Sequence, residues 1–181
     1  MSEILERNKE YASVMKDSLK LRGEPVAIRL IRENEEFPAG YSAPDKQLSH
    51  CQAIFVAKRV SMPKTKGEVV CPLKDADFVP DVVAIVDIPE RVYWIVPLST
   101  SNGGGRMAFS TSPFQCACED VTSVPMVTGA PNVSLGCFGC RKKTDMAADE
   151  LACGIPYDLI PGYIEHLKKY SSGVMTKAKR D

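Results

Sequence analysis

A chain of 181 residues can bury one sizeable core without disulfide help, and 44% hydrophobic with 25% charged residues marks an ordinary globular protein rather than a disordered one. Its 23 basic and 23 acidic side chains cancel, which removes the electrostatic reason to expect nucleic acid or an acidic membrane surface as a partner. No apolar run approaches the roughly 18 residues that a membrane span needs. The alternating charges of Ser2-Glu3-Ile4-Leu5-Glu6-Arg7-Asn8-Lys9 suit neither a secretory signal nor a transit peptide. A cytoplasmic location is expected, and seven cysteines there read as thiols rather than as a disulfide frame. The glycosylation pattern Asn132-Val133-Ser134 has no meaning in that compartment.

In chain order, residues 3 to 21 predict a helix with Tyr11, Val14, Met15, Ser18 and Leu19 on one stripe, Ser2 as cap and Gly23 as stop. Val26 to Ile31 is a β-branched run that predicts a strand, and the polar stretch 33–47 predicts a loop. Ser49 caps a second predicted helix, with Ala53, Val56, Ala57 and Val60 at amphipathic spacing, closed by Pro63 and Gly67. Val69 to Leu73 predicts a short strand before the acidic loop at Asp75 and Asp77. Val82 to Val86 is apolar on both faces, as befits a strand in mid-sheet.

A helix is predicted from Pro89-Glu90 through Val92 to Val96, limited by Pro97, and a flexible connection over Ser99 to Gly105. Arg106 to Ser110 suggests a strand, and Ser112-Pro113 the cap and first position of a helix reaching about Val124. Asn132 to Cys137 and Leu151 to Ile155 read as extended. The last helix buries Leu159, Ile160, Tyr163, Ile164 and Leu167, with Pro161 in its first turn. Interleaved strands and helices without a repeat or linker predict a single α/β (mixed α+β) domain over 1–173. A central mixed β-sheet is flanked by helices, and 174–181 forms a basic, frayed tail.

The chemistry concentrates in thiols. Cys137-Phe138-Gly139-Cys140 is a C-x-x-C pair whose spacing lets two sulfurs of one loop reach one metal. There is no second C-x-x-C, so a zinc ribbon is not indicated. Cys51 falls in the first turn of its predicted helix, and Cys116-Ala117-Cys118 near the start of another, where the positive helix end favours thiolate. Cys51 and one of Cys116 or Cys118 are therefore the natural complement to Cys137 and Cys140. A purely thiolate site suits zinc or an iron–sulfur cluster. Cys71 and Cys153 sit in apolar runs and read as core packing.

Other features carry less. His50 adjoins Cys51, but neighbours on a helix do not face each other, so a Cys–His nucleophilic pair is not expected. His166 reads as a surface or half-buried residue. Gly103-Gly104-Gly105 lacks phosphate-loop and dinucleotide spacing, and Asp75, Asp77 and Asp81 lack calcium-loop spacing. Arg141-Lys142-Lys143 either balances an anionic centre, docks an acidic partner, or is a solvated loop.

Thr128-Gly129-Ala130-Pro131-Asn132-Val133-Ser134-Leu135-Gly136-Cys137-Phe138-Gly139-Cys140-Arg141 resembles the uncharacterised ArCR family, a domain of unknown function (number 169). Further resemblance lies in Gly23 to Ile28, Cys51-Gln52-Ala53, Ala76 to Val83, Cys118-Glu119-Asp120 and Gly154-Ile155-Pro156. The resemblance places recurring cysteines at Cys51, Cys118, Cys137 and often Cys140, and implies no established activity. The usual member looks longer, with an extra cysteine-bearing segment between the Cys51 helix and the Asp77-Phe78 loop; here either Cys71 substitutes for that cysteine or its role is lost.

The expectation is thus a cysteine-ligated metal centre, a [4Fe-4S] cluster before zinc or no metal. Its ligands would be Cys51, Cys118, Cys137 and Cys140, serving electron transfer or redox sensing with a redox partner protein. The alternatives are a metal-free thiol enzyme or small-molecule-binding protein using the same pocket, and a zinc-stabilised structural protein. A homodimer is reasonable, since a small sheet leaves unpaired edges.

Overall fold

The computed structural model describes residues 2–41, 48–58, 64–65, 67–92 and 116–174. Strands β1 (Val26–Leu30), β2 (Lys64–Thr65), β3 (Glu68–Pro72), β4 (Val82–Asp87), β5 (Asn132–Ser134) and β6 (Leu151–Pro156) form one sheet in the order β2-β3-β1-β4-β6-β5. β4 lies in mid-sheet between β1 and β6, and all six of its residues are buried. All five pairings are antiparallel, so the expected mixed sheet has no parallel pair among the described strands. A continuous apolar run needs only two covered faces, and helices on both sides of an antiparallel sheet supply them.

The helices are α1 (Glu3–Leu19), α2 (His50–Ala57), α3 (Pro89–Val92), a π-helix (Ala117–Ser123) that runs into α4 (Val124–Thr128), α5 (Phe138–Lys143) and α6 (Ile160–Val174). Ser2 caps α1 by accepting from the Leu5 N–H at 3.2 Å, and Lys20 ends it in the left-handed conformation at φ 54°. Asn8, buried on α1, donates to the carbonyls of Ala76 and Phe78 at 2.8 and 3.0 Å and accepts from the Tyr157 hydroxyl at 2.6 Å. This pins α1 to the chain entering β4 and the chain leaving β6.

Strand alternation sorts the core into two halves. Ala27, Val69, Cys71, Val83, Ile85, Cys153 and Ile155 face α1 and α6, where Met15, Leu19, Ile160, Tyr163 and Leu167 complete one apolar layer. Val26, Ile28, Val70, Ala84, Val86 and Ala152 face the other way, onto Ala53, Ile54, Phe55 and Ala57 of α2 and onto Ala117, Val121, Cys140 and Met146. Cys51 and Cys137 pack at the margin of this second layer.

Cys71 and Cys153 are core residues, as read from sequence. Val56, expected on the buried stripe of α2, is 38% exposed. Ile54 and Phe55 are buried in its place, because α2 is wedged between the sheet and the π-helix rather than resting on one face. The helix expected from Ser112 is helical from Ala117 onwards in the described residues. The expectations for residues 93–115, for Val60, for Pro63 and for 175–181 lie outside the described residues.

Candidate metal centre

Three short segments carry the thiols, and each is placed by a local device. The first is the start of α2, where Ser49 and Gln52 form a reciprocal capping box: the Gln52 N–H donates to Ser49 Oγ and the Ser49 N–H donates to Gln52 Oε1. Cys51 sits in that turn with Ser49 Oγ 3.4 Å from its sulfur.

The second is the π-helix, which begins with Cys116 as its cap and carries Cys118. Its wide turn has a cause in sequence. Pro125 lacks an N–H and its ring crowds the carbonyl four residues back, so a regular α-ladder cannot run through Val121. The Asp120 carbonyl, five residues before Pro125, accepts instead from Asn132 Nδ2 at 3.0 Å. Gly154 of β6 faces the same turn. A Cβ there would fall 1.8 Å from the Val121 carbonyl oxygen, so only glycine lets the π-helix backbone lie on the sheet. Asn132 and Gly154 are register partners between β5 and β6.

The third is the loop into α5. Gly136 adopts φ 74°, a conformation that favours glycine, and a Cβ on it would press on the end of the Met146 side chain. Cys137 caps α5, its sulfur accepting from the Cys140 N–H at 3.5 Å. Arg141 then clamps the loop, donating to the carbonyls of Leu135, Ala147 (3.1 Å), Ala148 (3.3 Å) and Glu150 (3.0 Å). Its charge is therefore used in holding the loop shape, a role that the basic run in the sequence does not reveal.

The five thiols close a ring. Cys51 neighbours Cys118 and Cys140, Cys140 neighbours Cys137, Cys137 neighbours Cys116, and Cys116 neighbours Cys118. The Cys137 and Cys140 sulfurs are 3.6 Å apart. The sulfurs of Cys116, Cys137 and Cys140 all lie within 4.8 Å of one another, a triad that could hold a metal ion. Of the four expected ligands, Cys137 and Cys140 belong to this triad, Cys116 stands in it as the third member, and Cys51 and Cys118 lie beside it. Cys140 is buried, the other four are half-buried, and Cys71 and Cys153 are buried elsewhere in the opposite core layer.

Neighbouring thiols are drawn in opposite directions at Cys51, Cys118, Cys140 and Cys137. The Cys51 thiol is held far below its usual value by donation from Cys118 and Cys140 against the cost of burial, with Ser49 and the Gln52 N–H adding to it. Cys118 moves up because it donates to Cys51, and burial adds to this. Cys140 moves up for the same two reasons. Burial works against a Cys137 thiolate, yet the N–H groups of Cys140 and Gly139 and the thiols of Cys140 and Cys116 draw it down. Clustered thiols, some of them drawn towards the thiolate, are a donor set for a soft metal, since binding displaces their protons.

His50 points away from this ring. Its Nδ1 meets the Glu68 carboxylate and its Nε2 lies 2.7 Å from Thr122 Oγ1, so it bridges β3 to the π-helix. Sequence reading discounts His50 as a partner for Cys51 but does not find this structural role, because Glu68 and Thr122 are distant in the chain. His166 is half-buried. No described helix is long and apolar enough to cross a membrane.

Across residues 14–62 and 56–166 the chain matches the profile of the uncharacterised ArCR family, domain of unknown function 169. It is 28% identical over 172 residues to an uncharacterized protein of Methanocaldococcus jannaschii, an alignment that covers 92% of this chain and 72% of that protein. No solved structure matches the chain. The match spans the cysteine segments and most of the sheet, and the chain belongs to the uncharacterised ArCR family.

Proposed function

We propose that the five-thiol ring is a metal centre, with iron as its working metal, and that the protein uses it for electron transfer or redox sensing. The observation that carries this reading is the convergence of Cys51, Cys116, Cys118, Cys137 and Cys140 from three segments, while Cys71 and Cys153 stay in the opposite core layer. Soft thiolates select iron–sulfur clusters, iron or zinc over hard cations. The Cys140 N–H donates to the Cys137 sulfur, and such donors tune the potential of a thiolate-bound iron.

Two occupants fit this donor set. A [4Fe-4S] cluster would take Cys51, Cys118, Cys137 and Cys140, with Cys116 beside it, and its bulk would spread the sulfurs. A single ion is favoured by the spacing between Cys137 and Cys140, because tetrahedral bonds of about 2.3 Å put neighbouring sulfurs about 3.8 Å apart. That ion would draw on Cys116, Cys137 and Cys140 with Cys51 or Cys118 as the fourth ligand. When bound, either form supplies one-electron chemistry. The chain itself supplies the thiolates, the N–H donors and the apolar wall of α2.

Anaerobic purification followed by metal and acid-labile sulfide analysis tests the reading. About four irons and four sulfides per chain denote the cluster, and one iron without sulfide denotes the single ion. The double variant C137S/C140S is expected to lose the metal while keeping its far-ultraviolet circular dichroism. Metal-free, folded wild-type protein after anaerobic handling overturns the proposal. With one hyper-reactive thiol at Cys51, that result favours the thiol-enzyme alternative. Stoichiometric zinc favours the structural one.

A further inference from the structure

We infer that the exposed face of the Leu135–Lys143 segment is the docking surface for an acidic electron-transfer protein, with Cys137 as the point of electron entry or exit. This rests on the metal-centre reading and extends it to the partner.

Leu135 is 60% exposed and Phe138 is 76% exposed, and they flank Gly136 and Cys137 in the chain. Large apolar side chains so exposed are ordinary when scattered, but these two border a half-buried thiol of the ring. The loop that presents them is held firmly. Gly136 donates to Ser134 Oγ at 3.1 Å, Arg141 bonds four carbonyls, and Gln52 Nε2 of α2 donates to the Lys143 carbonyl at 3.3 Å. A rigid loop presenting an aromatic side chain is organised for binding, since no ordering cost falls on the encounter.

Charge selects the partner. Phe138 and Lys142 stand four residues apart on α5 and so share one stripe, and Lys142 and Lys143 are both exposed. The segment itself carries Arg141, Lys142 and Lys143 and no acidic residue; of the acidic residues in the loop that follows, Asp149 pairs with Arg22 and Glu150 with Lys58. An apolar centre with a basic rim is the anatomy of a small interface, and the rim steers an acidic surface towards it. Electron-transfer encounters use small, transient interfaces of this kind. Iron held by the cysteines would accept one electron from the partner's reduced centre, which would be oxidised, with no proton or group transferred.

The test uses the full-length, iron-loaded protein and a reduced acidic ferredoxin as probe, with the same ferredoxin after amidation of its surface carboxylates as the charge-neutralised control. Stopped-flow absorption reads the second-order rate against ionic strength. The wild type is expected to be reduced faster by the ferredoxin at low salt, with the advantage falling as salt rises. K142E/K143E should slow that reaction by about tenfold or more at low salt. F138S should slow it at all salt concentrations. Both variants should keep the wild-type iron content and be reduced by dithionite as the wild type is.

Equal rates for wild type and variants, or an equal rate with the amidated ferredoxin, overturn the inference. So does sedimentation in which the wild type self-associates and F138S does not, which would assign the patch to a second copy. Failure of the underlying reading looks different: iron is absent, or dithionite fails to reduce it, in the wild type and the variants alike.

Discussion

The two faces of the one sheet carry opposite designs. The face towards α1 and α6 is closed by large side chains (Met15, Leu19, Ile160, Tyr163, Leu167), and its two cysteines serve as small apolar fillers. The face towards α2 and the π-helix sets Ile28, Ile54 and Phe55 among small residues, Ala53, Ala57, Ala84, Ala117, Ala152 and Gly154, which let the π-helix lie close, and five thiols gather at its margin. One face stores stability and the other holds geometry. A cysteine's role in this protein follows from the parity of its strand position or from its place at a helix start, and its residue type alone does not reveal it.

The largest effect that separates the faces is expected from Leu19→Ala. Leu19 is fully buried in the closed layer, and such truncations cost about 2–5 kcal/mol. Thermal unfolding should shift down by about 2–4 °C for each kcal/mol lost. Metal bound per folded molecule should not change, because no thiol segment touches that layer. A variant that loses metal in proportion to stability would break the division between the faces. Gly154→Ala is expected to cost less stability, about 1–3 kcal/mol from overpacking, but to do what Leu19→Ala cannot. The new Cβ pushes on the Val121 carbonyl, displaces the π-helix, and moves Cys116 and Cys118 out of the ring. Calorimetry and metal analysis on the same samples should show a fall in metal content larger than the folded fraction explains. Wild-type metal content in this variant would mean that the π-helix is not what positions those two thiols.

Much of the first design can be read from sequence, and less of the second. The apolar stripe of α6 and the run Val82 to Val86 carry their burial in their periodicity, and Cys71 and Cys153 read as packing for the same reason. The capping turn of Ser49 and the C-x-x-C loop are likewise local patterns, so Cys51, Cys137 and Cys140 could be singled out. The choice between Cys116 and Cys118 could not be made. It depends on a π-turn set by Pro125, by Asn132 on the Asp120 carbonyl and by the absence of a Cβ at Gly154, and these meet only when the sheet has formed. His50 is illegible for the same reason: its partners Glu68 and Thr122 lie 18 and 72 residues away. Val56 misleads because a helix buried on several sides has no single apolar stripe.

The smallest effect is on rates alone, and it sharpens the comparison thiol by thiol. In the closed layer, burial raises Cys153 to about 12, and burial likewise raises Cys71 to about 12 against a weaker opposing hydrogen bond from Tyr41. At pH 8 a thiol of that affinity is about one part in ten thousand thiolate, and no solvent reaches it in the folded state. On the other face, Cys51 and Cys137 are held below the usual thiol value and are half-buried. Alkylation of the metal-free protein with iodoacetamide at pH 8, followed by peptide mass spectrometry, should therefore label Cys51 and Cys137 first. Cys118 and Cys140 should follow more slowly, because each holds the proton that it donates to Cys51. Cys71 and Cys153 should stay unmodified until denaturant is added. Raising the pH to 9 should speed Cys71 and Cys153 about tenfold if any native-state labelling of them is detectable, while Cys51, already ionised, should gain little. Early labelling of Cys71 or Cys153 in the native protein would show that the closed face opens, and would remove the distinction between packing thiols and ring thiols.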